Sequence, residues 1–131
     1  MKALDTNVLV RYLTQDEPGQ VARVNSLISG AVAKHQKLHL DVIVLCELVW
    51  VLRGAYRLDR HRVANTLEKL LDAAQFSIQD RDIASEALAA YQSGAGDFAD
   101  YVLGSRNRRA GCRTTLTFDR ALKKSDLFSV L

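Results

Sequence analysis

The chain has 131 residues, 48% of them apolar and 25% charged, which is ordinary globular usage and excludes disordered, collagen-like and mucin-like chains. This length suits one α/β domain spanning residues 1–131, with no room for a second core. The net charge is only +3, no apolar run approaches the roughly 20 residues of a membrane helix, and Met1-Lys2-Ala3-Leu4-Asp5 lacks the pattern of a signal peptide, which predicts a cytoplasmic protein.

Lys2–Leu4 reads as a short strand, and Thr6–Leu13 as a helix capped by Asp5 or Thr6. Pro18 suits a first helical turn, after which Val21, Val24, Leu27, Ile28 and Val32 mark an amphipathic helix. Leu38–Leu40 is a strand candidate, and Asp41 can cap a long apolar helix, Val42–Tyr56. Asp59 begins the next helix, with Val63, Leu67, Leu70 and Leu71 on one side. Phe76–Ile78 reads as a strand and Ile83–Tyr91 as a helix, closed by the turn Ser93-Gly94-Ala95-Gly96. Phe98–Arg109 is helical with Gly111 as its stop, Arg113–Phe118 is β-prone, and Phe128–Leu131 fits a final edge strand. Such alternation predicts right-handed crossovers and a mainly parallel sheet with helices on both faces. Cys46 and Cys112 lie far apart in apolar segments and fit no zinc spacing, so both are expected as reduced core residues.

Five carboxylates hold the functional signal. Ligands of parallel α/β sheets bind beyond the carboxyl ends of the strands. Asp5 and Asp119 each directly follow a predicted strand, although each also suits a helix cap. Glu47 lies in the apolar stretch Val42–Leu52, where burial would cost several kcal/mol unless a metal or a base pairs with it. Arg53 and Arg57 are not three or four residues away, so a pair within the helix is not expected. Asp97 and Asp100 share one face at a helix start, where two acids repel unless a cation lies between them. An all-oxygen set of this kind suits Mg²⁺ or Mn²⁺ rather than zinc, and such ions support phosphodiester hydrolysis. Thr117 stands two residues before Asp119, either as a site hydroxyl or as an ordinary strand threonine.

Basic residues gather at Arg53, Arg57, Arg60 and Arg62, and again between Arg106 and Lys124, including Arg120. With the five acids set aside, the remainder carries +8, a balance that suits a polyanion. Solvated helix faces are the plainer reading. There is no Walker-type loop and no Gly-flanked nucleophilic serine. Gly94-Ala95-Gly96 reads as a turn before a nucleotide cradle, and His35 and His39 straddle a loop and a strand.

Leu4-Asp5-Thr6-Asn7-Val8-Leu9, Cys46-Glu47-Leu48-Val49-Trp50-Val51-Leu52, Asp97-Phe98-Ala99-Asp100-Tyr101 and Thr115-Leu116-Thr117-Phe118-Asp119, in this order, resemble the PIN-domain ribonucleases. More narrowly, they resemble the VapC-type toxins of toxin–antitoxin pairs. The resemblance covers essentially the whole chain. It implies a three-layer α/β/α sandwich and an endoribonuclease dependent on Mg²⁺ or Mn²⁺. On that resemblance Asp5, Glu47, Asp100 and Asp119 are the principal catalytic and metal-binding acids and Asp97 an accessory one. Thr6, Asn7 and Thr117 take supporting roles. The basic clusters, read separately, make Arg53, Arg57, Arg106 and Arg120 candidate RNA contacts. The resemblance further implies a homodimer, a cognate antitoxin and a structured RNA substrate, notably transfer RNA. Tyr101 and Gly104 depart from the smaller or more apolar residues common at these places, with packing rather than catalysis affected. The rival readings are a phosphotransfer domain, for which Asp5-Thr6-Asn7 lacks the second acid, and a non-catalytic RNA- or partner-binding module in which the acids merely cap helices.

Overall fold

Asp5, Asp41 and Asp59 start three helices. Each has extended backbone, and each Oδ1 accepts a backbone N–H at 2.8 Å, from Thr6, Ile43 and Arg62 respectively. A side-chain cap of this sort is worth about 1 kcal/mol. The computed structural model describes residues 1–131. The elements run β1 (Lys2–Ala3), α1 (Thr6–Thr14), α2 (Pro18–Ala33), β2 (Leu38–Leu40), α3 (Val42–Gly54), α4 (Arg60–Asp72), β3 (Phe76–Ile78), α5 (Arg81–Ser93), α6 (Phe98–Arg109), β4 (Thr115–Thr117), a 3₁₀ turn (Arg120–Leu122) and β5 (Phe128–Val130).

Every strand pairing is parallel, with Lys2 opposite Leu38, Leu38 opposite Phe76 and Thr115 opposite Phe128. Parallel neighbours need long crossovers, and here each crossover from β1 to β4 contains two helices. The result is an α/β fold, a parallel sheet flanked by helices. The sheet is in two pieces, β1-β2-β3 and β4-β5, with no ladder between β1 and β4. One apolar cluster of 32 residues, from Leu4 to Phe128, nevertheless spans both pieces.

The densest part of that cluster is α3, where Val42, Val44, Leu45, Cys46, Leu48, Val49 and Leu52 are buried. Each large side chain there contributes about 1.5–3 kcal/mol. Apolar residues do not, however, enclose the helix on every side. Ile43 and Trp50 are 60% and 54% exposed and Glu47 is half-buried between them. These positions, four and three residues apart, form one stripe open to the outside.

Cys46 is buried and Cys112 exposed, so only one of the two is a core residue. Cys112 follows Gly111, whose φ of +100° turns the chain off the end of α6 and away from the core. Tyr101 is buried, and its hydroxyl accepts the Gly96 amide at 2.9 Å, which ties α6 to the turn before it. Gly104 lets β5 approach, since a Cβ there would lie 2.8 Å from Phe128 Cε2 and 3.0 Å from Leu127 Cβ. Both departures from the family pattern are therefore packing solutions.

Several arginines serve the fold. Arg60 lies 3.9 Å over the Tyr91 ring and donates to the carbonyls of Tyr91 (2.8 Å) and Gly94 (3.0 Å). Arg109 pairs with Glu86 at 2.7 Å, and Arg108 with Asp126 at 3.6 Å. Arg11 joins α1 to Asp16 (3.0 Å) and to the Tyr56 hydroxyl (3.2 Å). The Tyr91 hydroxyl is buried with no partner. Leaving such a donor unpaired carries a desolvation penalty, so Tyr91→Phe is expected to raise stability by about 1 kcal/mol, read as a higher urea midpoint at unchanged slope.

Candidate active site

Two linkages assemble the acids. In the first, Thr6 is buried at the start of α1 and its Oγ1 donates to Glu47 Oε1 at 2.9 Å. The bond spans 41 residues of sequence and holds the open stripe of α3 against the carboxyl end of β1. Asp5 stands at that end, exposed, with its Oδ1 on the Thr6 amide at 2.8 Å. Glu47 thus has a hydroxyl partner in place of an arginine.

In the second, Asp97 and Asp100 open α6. Trp50 Nε1 donates to Asp97 Oδ2 at 2.6 Å, so α3 also touches this group. Asp100 Oδ2 accepts the Asp97 amide at 3.2 Å, the backward arm of a helix cap. Burial pushes the Asp100 carboxyl above its ordinary range, and the negative charges of Asp97 and Asp119 push it further, while the Asp97 amide pulls the other way. Asp119 therefore lies within electrostatic reach of the pair. It is exposed, its Oδ1 caps the 3₁₀ turn through the Ala121 amide at 2.9 Å, and its own amide donates to Thr117 Oγ1 at 3.0 Å. Cap and charged site group are the same residue here, because the cap uses only one carboxylate oxygen.

No three of these carboxylates are close enough to enclose an ion. Helix α3 touches both linkages, through Glu47 to Thr6 and through Trp50 to Asp97. Magnesium commonly takes one or two carboxylates and keeps several waters, so an open set of acidic oxygens with mutual repulsion fits it better than a closed cage would.

The remaining candidates are scattered. Asn7 is exposed and lines a groove between α1 and α2 with Arg11 and Arg23, without a hydrogen bond to any acid. Arg53 reaches the Leu58 carbonyl at 3.4 Å, and its charge, like that of Asp97, is felt at the Tyr91 hydroxyl. Arg57 occupies a left-handed turn, φ 54°, after α3. Arg106 is felt at Cys46, whose thiol is pushed up to about 11 by burial first and by Asp97 second. Trp50 was missed in the sequence. Its signal was its place three residues after Glu47 in an apolar helix, which an ordinary core tryptophan would share.

Comparison with known proteins identifies the family. A family profile described as the PIN domain matches residues 2–126. A VapC ribonuclease of Aquifex aeolicus (strain VF5) is 27% identical over 124 residues, covering 95% of this chain and 91% of that protein. No solved structure matches. With a parallel sheet flanked by helices, acids at the carboxyl ends of its strands and a profile match over nearly the whole length, the chain belongs to the PIN-domain family.

Proposed function

We propose that this protein is an endoribonuclease dependent on Mg²⁺ or Mn²⁺ that cleaves transfer RNA or another structured RNA and acts as the toxin of a toxin–antitoxin pair. The observation that carries the reading is Asp100 at the start of α6, a partly buried carboxyl raised above its ordinary range by burial and by the nearby negative charges of Asp97 and Asp119, a setting that a divalent cation would relieve. Similarity to the Aquifex aeolicus VapC ribonuclease supports it. A bound divalent ion supplies charge stabilisation and a more acidic water for attack on phosphorus. Asp5, Glu47, Asp100 and Asp119, with Asp97 accessory, are the residues that would hold it. Thr6 orients Glu47 through its 2.9 Å bond, and Thr117 fixes the backbone that aims Asp119. Trp50 restrains Asp97 through its 2.6 Å bond.

A homodimer and a cognate antitoxin belong to the same proposal. Exposed Leu103, Leu116 and Phe118 offer apolar surface for a protein partner. No helix is long and apolar enough to cross a membrane.

The test is cleavage of a transfer-RNA pool with Mg²⁺, with Mn²⁺ and with EDTA, alongside Asp5→Asn and Glu47→Gln. Discrete products are expected with either metal and none with EDTA, and each variant should fall by at least about 10²-fold while keeping its fold. Full metal-dependent activity in Glu47→Gln would refute the acid assignment. A folded protein that binds no divalent ion would point to the non-catalytic binding module instead.

A further inference from the structure

The turn Ser93–Gly96 does more than join α5 to α6. With the segment after β4 it walls a pocket of about 670 Å³, a size that accommodates a nucleotide-sized group. Arg120, Lys123 and Lys124 line one side, and Ser93, Gly94 and Tyr101 the other. Asp126 is the single carboxylate in the lining, and it already faces Arg108 at 3.6 Å. The molecule's ion pairs, Arg11–Asp16, Arg108–Asp126 and Arg109–Glu86, leave all three lining cations without an acidic partner.

This pocket adjoins the acids on both sides. Arg120 follows Asp119, and Gly96 precedes Asp97. The two walls are in contact, because a Cβ on Gly96 would collide with Leu122 Cδ2 in the 3₁₀ turn. A concave surface with three unpaired cations beside a group of carboxylates attracts one kind of ligand, an anion whose neighbouring part carries bound cations into the acidic site. An RNA backbone has that character, since its phosphates repeat along the chain.

We propose that the pocket of Arg120, Lys123 and Lys124 is a binding subsite for an RNA phosphate flanking the one that is cut. The subsite rests on the ribonuclease reading above and adds to it the path by which the strand leaves the acids. Lys123 and Lys124 act as point charges on a phosphate, and the Ser93 hydroxyl at the rim can donate to the same group. The Gly-x-Gly turn shapes the pocket wall indirectly, by letting the chain pack closely against Tyr101 and Leu122.

The experiment uses Asp5→Asn protein, in which bound RNA is expected to stay uncut, and measures Kd for bulk transfer RNA over a salt series. Lys123→Ala with Lys124→Ala is compared with Lys34→Ala plus Lys37→Ala, which removes equal charge from a depression at the amino ends of β1 and β2. The first pair should weaken binding about tenfold at 0.15 M salt and flatten the salt slope by about two. The second pair should change Kd less than about twofold. Calorimetric Mn²⁺ binding should be the same in both pairs. Equal losses in the two pairs, or no loss in the first, would overturn the subsite while leaving the nuclease reading intact. Failure of the Asp5→Asn protein itself to bind RNA at low salt would overturn that reading and the subsite with it.

Discussion

Asp100→Asn is expected to abolish cleavage and, in the same protein, to raise the melting temperature of the metal-free form at neutral pH. Loss of activity should reach about 10²–10³-fold, the usual cost of deleting one group that stabilises charge in the transition state. The stability gain follows from the raised carboxyl, driven by burial and then by Asp97 and Asp119. A folded-state pKa above the unfolded value means that the folded protein holds the proton more tightly. The stability this contributes is fully present below the unfolded pKa, and it is lost as pH rises through the folded pKa. At neutral pH the ionised group is therefore a burden on the fold. Asn carries no charge and can still accept the Asp97 amide, so the cap at the start of α6 survives. Thermal melts of both proteins in EDTA from pH 3 to pH 8 check this, with the curves converging at the acid end. A variant that melts lower than the parent at pH 7 would show that the carboxylate stabilises the fold.

Gly96→Ala should destabilise the protein by about 1–3 kcal/mol, the range for overfilling a packed site. The added methyl would collide with Leu122 and lie 3.0 Å from the Tyr101 hydroxyl. Leu122 and Tyr101 are 1% and 3% exposed, so neither can swing into solvent. Relief has to come from movement of the 3₁₀ turn, which would carry Asp119 with it, and cleavage should fall at least about tenfold. Gly30→Ala is the contrast. Nothing lies within 4 Å of its added Cβ in α2, so better helix propensity should stabilise by up to about 1 kcal/mol. Urea midpoints moving in opposite directions for the same chemical change would establish that space at residue 96, rather than glycine flexibility, is what matters.

The helices were legible because caps and apolar spacing are local. Asp41 and Asp59 announced α3 and α4, and Pro18 placed the start of α2 at its observed first residue. Helix ends were less so. Helix α5 begins at Arg81, before the apolar pattern from Ile83, because its first turn is polar, and α3 stops at Gly54, short of Tyr56. The 3₁₀ turn at Arg120–Leu122 had no periodicity to show, and the division of the sheet depends on edges that come from distant parts of the chain. At the candidate site, residue types were readable and partnerships were not. An apolar stretch around Glu47 implied burial, yet the open stripe and the hydroxyl of Thr6 resolve its charge in another way. Likewise the runs of arginine looked uniform, although Arg60, Arg108 and Arg109 bind within the fold while Arg120 does not.

The protein contains a single tryptophan, and the indole N–H of Trp50 sits 2.6 Å from a carboxylate of the acidic group. Its emission therefore comes from one locus, with a hydrogen-bonded anion at one end of the ring and solvent along the other. The chain thus carries an intrinsic fluorophore hydrogen-bonded to Asp97, and excitation beyond tyrosine absorption in the unlabelled molecule reports on the surroundings of that acid.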